Sequence, residues 1–152
     1  MPGIESAAAP WPLTARITGS GARVDFELNA TAVDVQEHRM VARPLPLPVR
    51  GRALIDTGTQ MSLMSDRIAQ ALGLDPTRTT VLRTAAGRTT ALCYAVAFSF
   101  VSHGTVIGKP QDLIVGRADT LQEDMLLGLD VLRRSRMEWN GPTATVRIFR
   151  HG

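Results

Sequence analysis

Between residues 22 and 28 the chain alternates strictly. Ala22, Val24, Phe26 and Leu28 are apolar, while Arg23, Asp25 and Glu27 are charged. A period of two sends alternate side chains to opposite faces of an extended chain, so this run predicts a strand with one buried face. The apolar run Ala53-Leu54-Ile55 makes Arg52 to Ile55 a core strand, and Asp124 to Leu127 reads as a second one. Thr79 to Arg83 and Thr89 to Phe100 predict two strands around a hairpin tip at Ala85-Ala86-Gly87-Arg88. Val106-Ile107 and Asp112 to Val115 are further strand candidates. Met137 to Trp139 and Thr143 to Phe149 close the chain around an Asn140-Gly141-Pro142 turn. Thr31 to Met40 fits either regular structure, and the even spacing of Val33 and Val35 favours a strand.

Helical spacing is scarcer. Ile68, Ala69 and Leu72 share one face of a helix over Asp66 to Leu72, with Ser65 placed to cap it and Gly73 to end it. A second short helix is expected at Val131 to Arg136, with Asp130 as its cap. Asp66, too, stands at a helix start, where a cap explains it. No internal repeat is visible. Many short strands with one or two short helices make a mainly β domain.

Proline punctuates the N-terminal third. Residues 1–12, with Ala7-Ala8-Ala9-Pro10 and Pro12, read as a flexible tail. Residues 13–40 read as an N-terminal β extension without an evident role. In Pro44-Leu45-Pro46-Leu47-Pro48, prolines at every second position remove amide donors from one edge of an extended chain. The segment therefore predicts an edge strand or an extended lead-in to the core strand, rather than a proline-rich partner motif.

Composition narrows the function classes. A chain of 152 residues suits one domain, and a hydrophobic fraction of 44% supports a real core. With aromatics at 5%, that core must come mainly from aliphatic side chains and methionine. No apolar run approaches the roughly 18 residues of a membrane span, and Met1-Pro2-Gly3-Ile4-Glu5 does not begin like a signal peptide. Cys93 is the sole cysteine, expected as a small buried thiol. These features point to the cytoplasm. The net charge of +3 is carried by arginine, Lys109 being the one lysine. The Arg50/Arg52 and Arg133/Arg134/Arg136 clusters read as solvated surface, since no long basic run or row of aromatics accompanies them. Nucleic acid is therefore not an expected partner. Low lysine beside high arginine, alanine and leucine hints at a bacterial source. His38, His103 and His151 lack ligand spacing, so no metal site is expected. Ser62 and Ser65 lack the Gly-x-Ser-x-Gly setting of a serine hydrolase.

The candidate chemistry lies at Asp56-Thr57-Gly58, where the core strand meets its turn. All three residue types suit ordinary turns, so the tripeptide alone means little. Its setting adds weight: an apolar strand before it, and a later apolar-apolar-Gly run, Leu126-Leu127-Gly128-Leu129, able to pack beneath it.

Ala53 to Ser62 resembles the active-site segment of retropepsin-like aspartic peptidases. Thr84-Ala85-Ala86-Gly87 is similar to the tip of that family's flap hairpin, and Leu126 to Leu132 to its hydrophobic-Gly segment. The resemblance spans about residues 41 to 149 and implies a retropepsin-like β-barrel domain over 41–152, half of a two-fold dimer. It implies Asp56 as the catalytic carboxylate, with Thr57, Gly58 and Thr59 supporting its loop. Thr84, Ala85, Ala86, Gly87 and Arg88 would form a substrate-covering flap, and Leu127, Gly128 and Leu129 would pack beside the active site. One Asp-Thr-Gly per chain implies a homodimer acting on peptides, without cofactor. Thr57 is expected to bond across that dimer, the Gly58 amide to reach a carboxylate, and Thr145 to Phe149 to join a shared interface sheet. Two features depart from the pattern: Thr59 replaces the commoner Ala or Ser, and the arginine that follows the later glycine in viral members is missing. An inactive peptide-binding or dimerisation module of the same fold is the main alternative. A basic β domain for an anionic partner is the third.

Overall fold

The computed structural model describes residues 11–84 and 87–150. Ten strands form one sheet: β1 (Leu13–Thr18), β2 (Gly21–Asn29), β3 (Val49–Ile55), β4 (Leu63–Ser65), β5 (Arg78–Thr84), β6 (Gly87–Ser102), β7 (Thr105–Ala118), β8 (Met125–Leu127), β9 (Ser135–Asn140) and β10 (Thr145–Arg150). Their order is β5-β6-β7-β4-β8-β3-β2-β1-β10-β9, and β2 also pairs with β6. That extra pairing, Asp25 to Asn29 against Val101 to Ala97, closes β2, β6, β7, β4, β8 and β3 into a barrel. The fold is mainly β. From this barrel β5 projects as half of a hairpin, and β1-β10-β9 extends as a second wing.

The alternation in β2 explains the closure. Val24, Phe26 and Leu28 are buried in the barrel, while the charged residues between them lie toward solvent. Phe26 stacks on Phe98 at 6.4 Å, and Phe98 meets Phe100 edge-on at 5.0 Å. Ile68, Met64, Met125, Leu127 and Val115 fill the rest with aliphatic and thioether groups. Cys93 is a fully buried thiol. Among the described residues no helix is long and apolar enough to cross a membrane.

Several local expectations give way. Thr31 to Met40 supplies a helix, α1 (Ala32–Met40), because the Thr31 hydroxyl accepts the Asp34 amide at 3.2 Å and caps it. With α2 (Asp66–Leu72) and α3 (Leu129–Leu132) the described residues hold three short helices rather than one or two. α2 matches its prediction, but Ser65 alone caps it; the Asp66 carboxylate turns aside to Arg117 at 2.5 Å. α3 begins earlier and ends sooner than expected. Gly128 is its N-cap, Asp130 lies inside its first turn, and Ser135 already starts β9. Residues 43–48 form no ladder and serve as an extended lead-in to β3. Residues 1–10 of the expected tail lie outside the described residues, but Trp11 is not loose: its ring meets Phe100 edge-on at 5.5 Å. Finally, β10 has β1 on one side and β9 on the other. Thr145 to Ile148 are thus paired on both edges within the chain.

Candidate active site

Two adjacent parallel strands, β3 and β8, end in the loops that make the site. Ile55 lies opposite Leu127, and the Asp56 amide donates to the Leu127 carbonyl at 3.0 Å. Asp56 is therefore fixed at the last rung of the ladder, half-buried, while Thr57 and Gly58 stand exposed beyond it. The chain then doubles back. The Gly58 amide donates to Asp56 Oδ1 at 2.9 Å, and the Thr59 amide to the Asp56 carbonyl at 3.4 Å. Among the described residues Asp56 makes no ion pair, so its carboxylate is oriented by a backbone dipole rather than neutralised.

The loop is held from beneath by the start of α3. Leu129 and Asp130 donate their amides to the carbonyls of Thr59 and Gln60 at 2.9 and 3.1 Å. Gly128 makes that approach possible: a Cβ there would sit 2.9 Å from the Thr59 carbonyl oxygen and 3.0 Å from the Met61 carbonyl carbon. Thr59 spends its hydroxyl on the Met61 carbonyl at 3.0 Å, tightening the same turn.

A buried polar knot completes the support. Ser62 Oγ donates to Asp130 Oδ1 at 2.6 Å and accepts the Gly128 amide at 2.9 Å; the Ser62 amide donates to Asp130 Oδ2 at 2.9 Å. Every polar atom of this knot has a partner, which a buried site requires. Sequence reasoning set Ser62 aside as a non-nucleophile and read Asp130 as a helix cap, so both were missed as site residues. The available signal was the combination of an aspartate just after Leu127-Gly128-Leu129 and a serine shortly after the Asp-Thr-Gly.

The hairpin of β5 and β6 stands over the next part of the barrel, with Arg83 opposite Arg88 and Thr84 opposite Gly87. Gly87 has φ +118°, a turn conformation that favours glycine. Ala85 and Ala86, the centre of the expected flap tip, lie outside the described residues. Between the hairpin and the β4/β7 pair is a cavity of about 310 Å³, lined by Leu63, Leu82, Ala91 and Leu121, with Asp66 and Arg117 among its polar groups. Arg117 is held in its charged form by hydrogen bonds to Asp66 and to the Tyr94 hydroxyl, which outweigh its partial burial. Thus Asp56 to Thr59 and Leu127 to Leu129 meet at one place, with Thr84, Gly87 and Arg88 on the projecting hairpin.

This barrel and these loops define the aspartic protease class of the retropepsin type. The sequence matches the family described as "gag-polyprotein putative aspartyl protease" over residues 48–134, more than half of the chain, and the chain belongs to that family. Among solved structures it is similar to a retropepsin-like aspartic protease from Rickettsia conorii, at 18% identity and TM-score 0.57, covering 90% of this chain and 89% of that one. A simian foamy virus protease also matches, at 14% identity and TM-score 0.45, over 73% of this chain and 91% of that one. No curated protein matches.

Proposed function

We propose that the protein is an aspartic endopeptidase, active as a homodimer in which Asp56 of each copy supplies one carboxylate. The observation that carries this reading is the fixing of Asp56 at the β3 terminus, by the Leu127 carbonyl and the Gly58 amide, with no ion pair to neutralise it among the described residues. Peptide hydrolysis of this kind needs two carboxylates, and one chain offers one at this position. Brought face to face across a two-fold axis, two carboxylates share a single proton, since like charges about 3 Å apart cannot both ionise. The ionised member takes a proton from a bound water as that water attacks the scissile carbonyl carbon. The protonated member donates to the carbonyl oxygen as negative charge develops there. Thr57, exposed beside Asp56, bonds across the axis in this reading. The β5/β6 hairpin closes over the peptide and excludes bulk water.

The test is cleavage of a mixed peptide library from about pH 4 to pH 7, followed by mass spectrometry, with Asp56→Asn beside the wild type. Cleavage by the wild type alone, stronger toward acid and with the variant still dimeric, supports the dyad. Equal cleavage by both proteins, or full-rate cleavage by a monomer, overturns it. Absence of cleavage by either, with a dimer still present, leaves a peptide-binding or dimerisation module.

A further inference from the structure

Arg133, Arg134 and Arg136 are neighbours in sequence, but the fold separates their roles. Arg136 pairs with Glu138 at 3.4 Å and lies over the Phe149 ring at 4.4 Å. Arg133 caps the C-terminal end of α3 and Arg134 follows it. Among the described residues neither makes a side-chain hydrogen bond or an ion pair. The same holds for Arg78, the first residue of β5, which the fold brings beside them. All three line one cavity of about 440 Å³.

This cavity holds more positive charge than its lining neutralises. Asp130 borders it, but its carboxylate is taken by Ser62 and by the Val131 amide. Asp112 is the one other carboxylate lining it among the described residues; it is exposed and pairs with none of the three arginines. A fourth guanidinium adjoins the group. Arg150 is half-buried, donates to Gln111 Oε1 at 3.1 Å and to the Lys109 carbonyl at 3.2 Å, and makes no ion pair. Burial, and then Arg134, push its pKa below the ordinary arginine value, as happens where cations lack a counter-charge.

The cluster is joined to the interior. Gln111 is only 3% exposed, and its amide nitrogen donates to the Asp130 carbonyl at 3.3 Å. Gln60 and Met61, just beyond the Asp-Thr-Gly turn, also line the cavity. An anion held here would tie the root of the β5/β6 hairpin to the end of α3, which supports that turn.

We infer that this cavity binds a small ligand carrying two or more phosphate groups, held by Arg78, Arg133 and Arg134. A planar guanidinium meets phosphate oxygens with paired donors. A lone carboxylate would bring one negative charge to three cations, whereas a diphosphate brings several, spread over two phosphorus atoms. The volume lies within the roughly 300–1,000 Å³ of small-molecule sites and leaves room for a group attached to the phosphates.

The experiment is calorimetric titration of the full chain with inorganic diphosphate, ADP, inorganic phosphate and sulfate at matched ionic strength. Saturable binding of diphosphate or ADP is expected, with phosphate and sulfate weaker by about tenfold or more. Arg78→Ala and Arg133→Ala should each weaken binding by about tenfold, and Arg133→Lys by less than Arg133→Ala. Arg39→Ala removes the same charge from α1, outside the cavity lining, and should bind like the wild type. Circular dichroism checks that each variant is folded. ADP bound more tightly than diphosphate makes the ligand a nucleotide; diphosphate bound without ADP makes it inorganic; either result sustains the site. No saturable binding of diphosphate or ADP, equal losses in Arg39→Ala and Arg133→Ala, or binding of a glutamate-rich peptide in place of diphosphate would each overturn the inference. None of these readouts uses cleavage, so the outcome is independent of the dyad.

Discussion

Gly128 has no room for a side chain, and the reason is the loop it supports. Its φ of −94° is open to any residue, so the constraint is contact rather than backbone freedom. The atoms that an added methyl would meet are backbone atoms of Thr59 and Met61, which cannot retreat without moving the turn that carries Asp56. Gly128→Ala is therefore expected to lower stability by about 1–3 kcal/mol, as overpacked sites do, and to reduce cleavage even at temperatures where the variant is fully folded. Denaturant midpoints and peptide turnover on the same preparation separate the two effects. Asp56 and Gly128 were legible in the sequence because each follows an unbroken apolar run whose strand nature is local. Asp130 was not. A short-range explanation, a helix cap, satisfied its residue type, whereas its partner Ser62 lies 68 positions away. Nothing in linear spacing favours one carboxylate acceptor over another at that separation.

Among the elements, the helices mark where periodicity informs and where it fails. In α2 three apolar residues share a buried face, and both ends carry recognisable stops: Ser65 Oγ accepts the Ile68 amide at 3.3 Å, and Gly73 takes φ +62°. Ser65→Ala should cost about 1 kcal/mol, the ordinary worth of an N-cap hydroxyl, measurable as a lower chemical denaturation midpoint with an unchanged slope. α1 buries none of its residues, so no apolar face announced it, and Val33 and Val35 imitated a strand. Its determinants are its ends. Thr31 caps the first turn, Asp34 sits near the positive pole, and His38 and Arg39 occupy the last turn. Most strands were legible individually, since alternation is local, but the three-residue β4 was not, being too short to show a period. The extra β2–β6 pairing was not, because it joins residues about seventy positions apart and leaves no mark on either segment.

At the scale of the molecule, charge fastens β2 to both of its neighbouring regions. Arg23 binds Glu123, just before β8, with two hydrogen bonds of 3.1 and 2.5 Å, and Arg50 on β3 binds Glu27 at 2.8 Å. The Arg23 hydrogen bonds hold Glu123 below its ordinary pKa of 4.5 against a smaller cost of burial. For Glu27, burial acts to raise the pKa, and the hydrogen bonds from Arg50 and Asn29 together outweigh it. A carboxylate depressed in the folded state adds stability above its unfolded pKa and loses it as pH falls through the folded value. The melting temperature should accordingly drop as pH falls below about 4.5, the ordinary glutamate value, and more shallowly in Glu123→Gln and Glu27→Gln. Thermal melts across that range check this. Flat profiles in all three proteins would show that these pairs contribute nothing. A melting temperature that falls in this way would set an endopeptidase that strengthens toward acid close to the limit of its own scaffold.

The enclosure of β10 between β1 and β9 separates two events that many small dimers merge. Each protomer completes its barrel and terminal wing from its own strands, so its core needs nothing from a neighbour. Proteins whose terminal strands find partners only in another chain lose their fold as they are diluted. The dimer proposed above should instead dissociate into folded, inactive halves. At falling concentration, cleavage per molecule should decline while the circular dichroism spectrum stays constant, and reconcentration should restore turnover without a refolding lag. The activity would be set by how much of the protein a compartment holds, with the idle form kept intact.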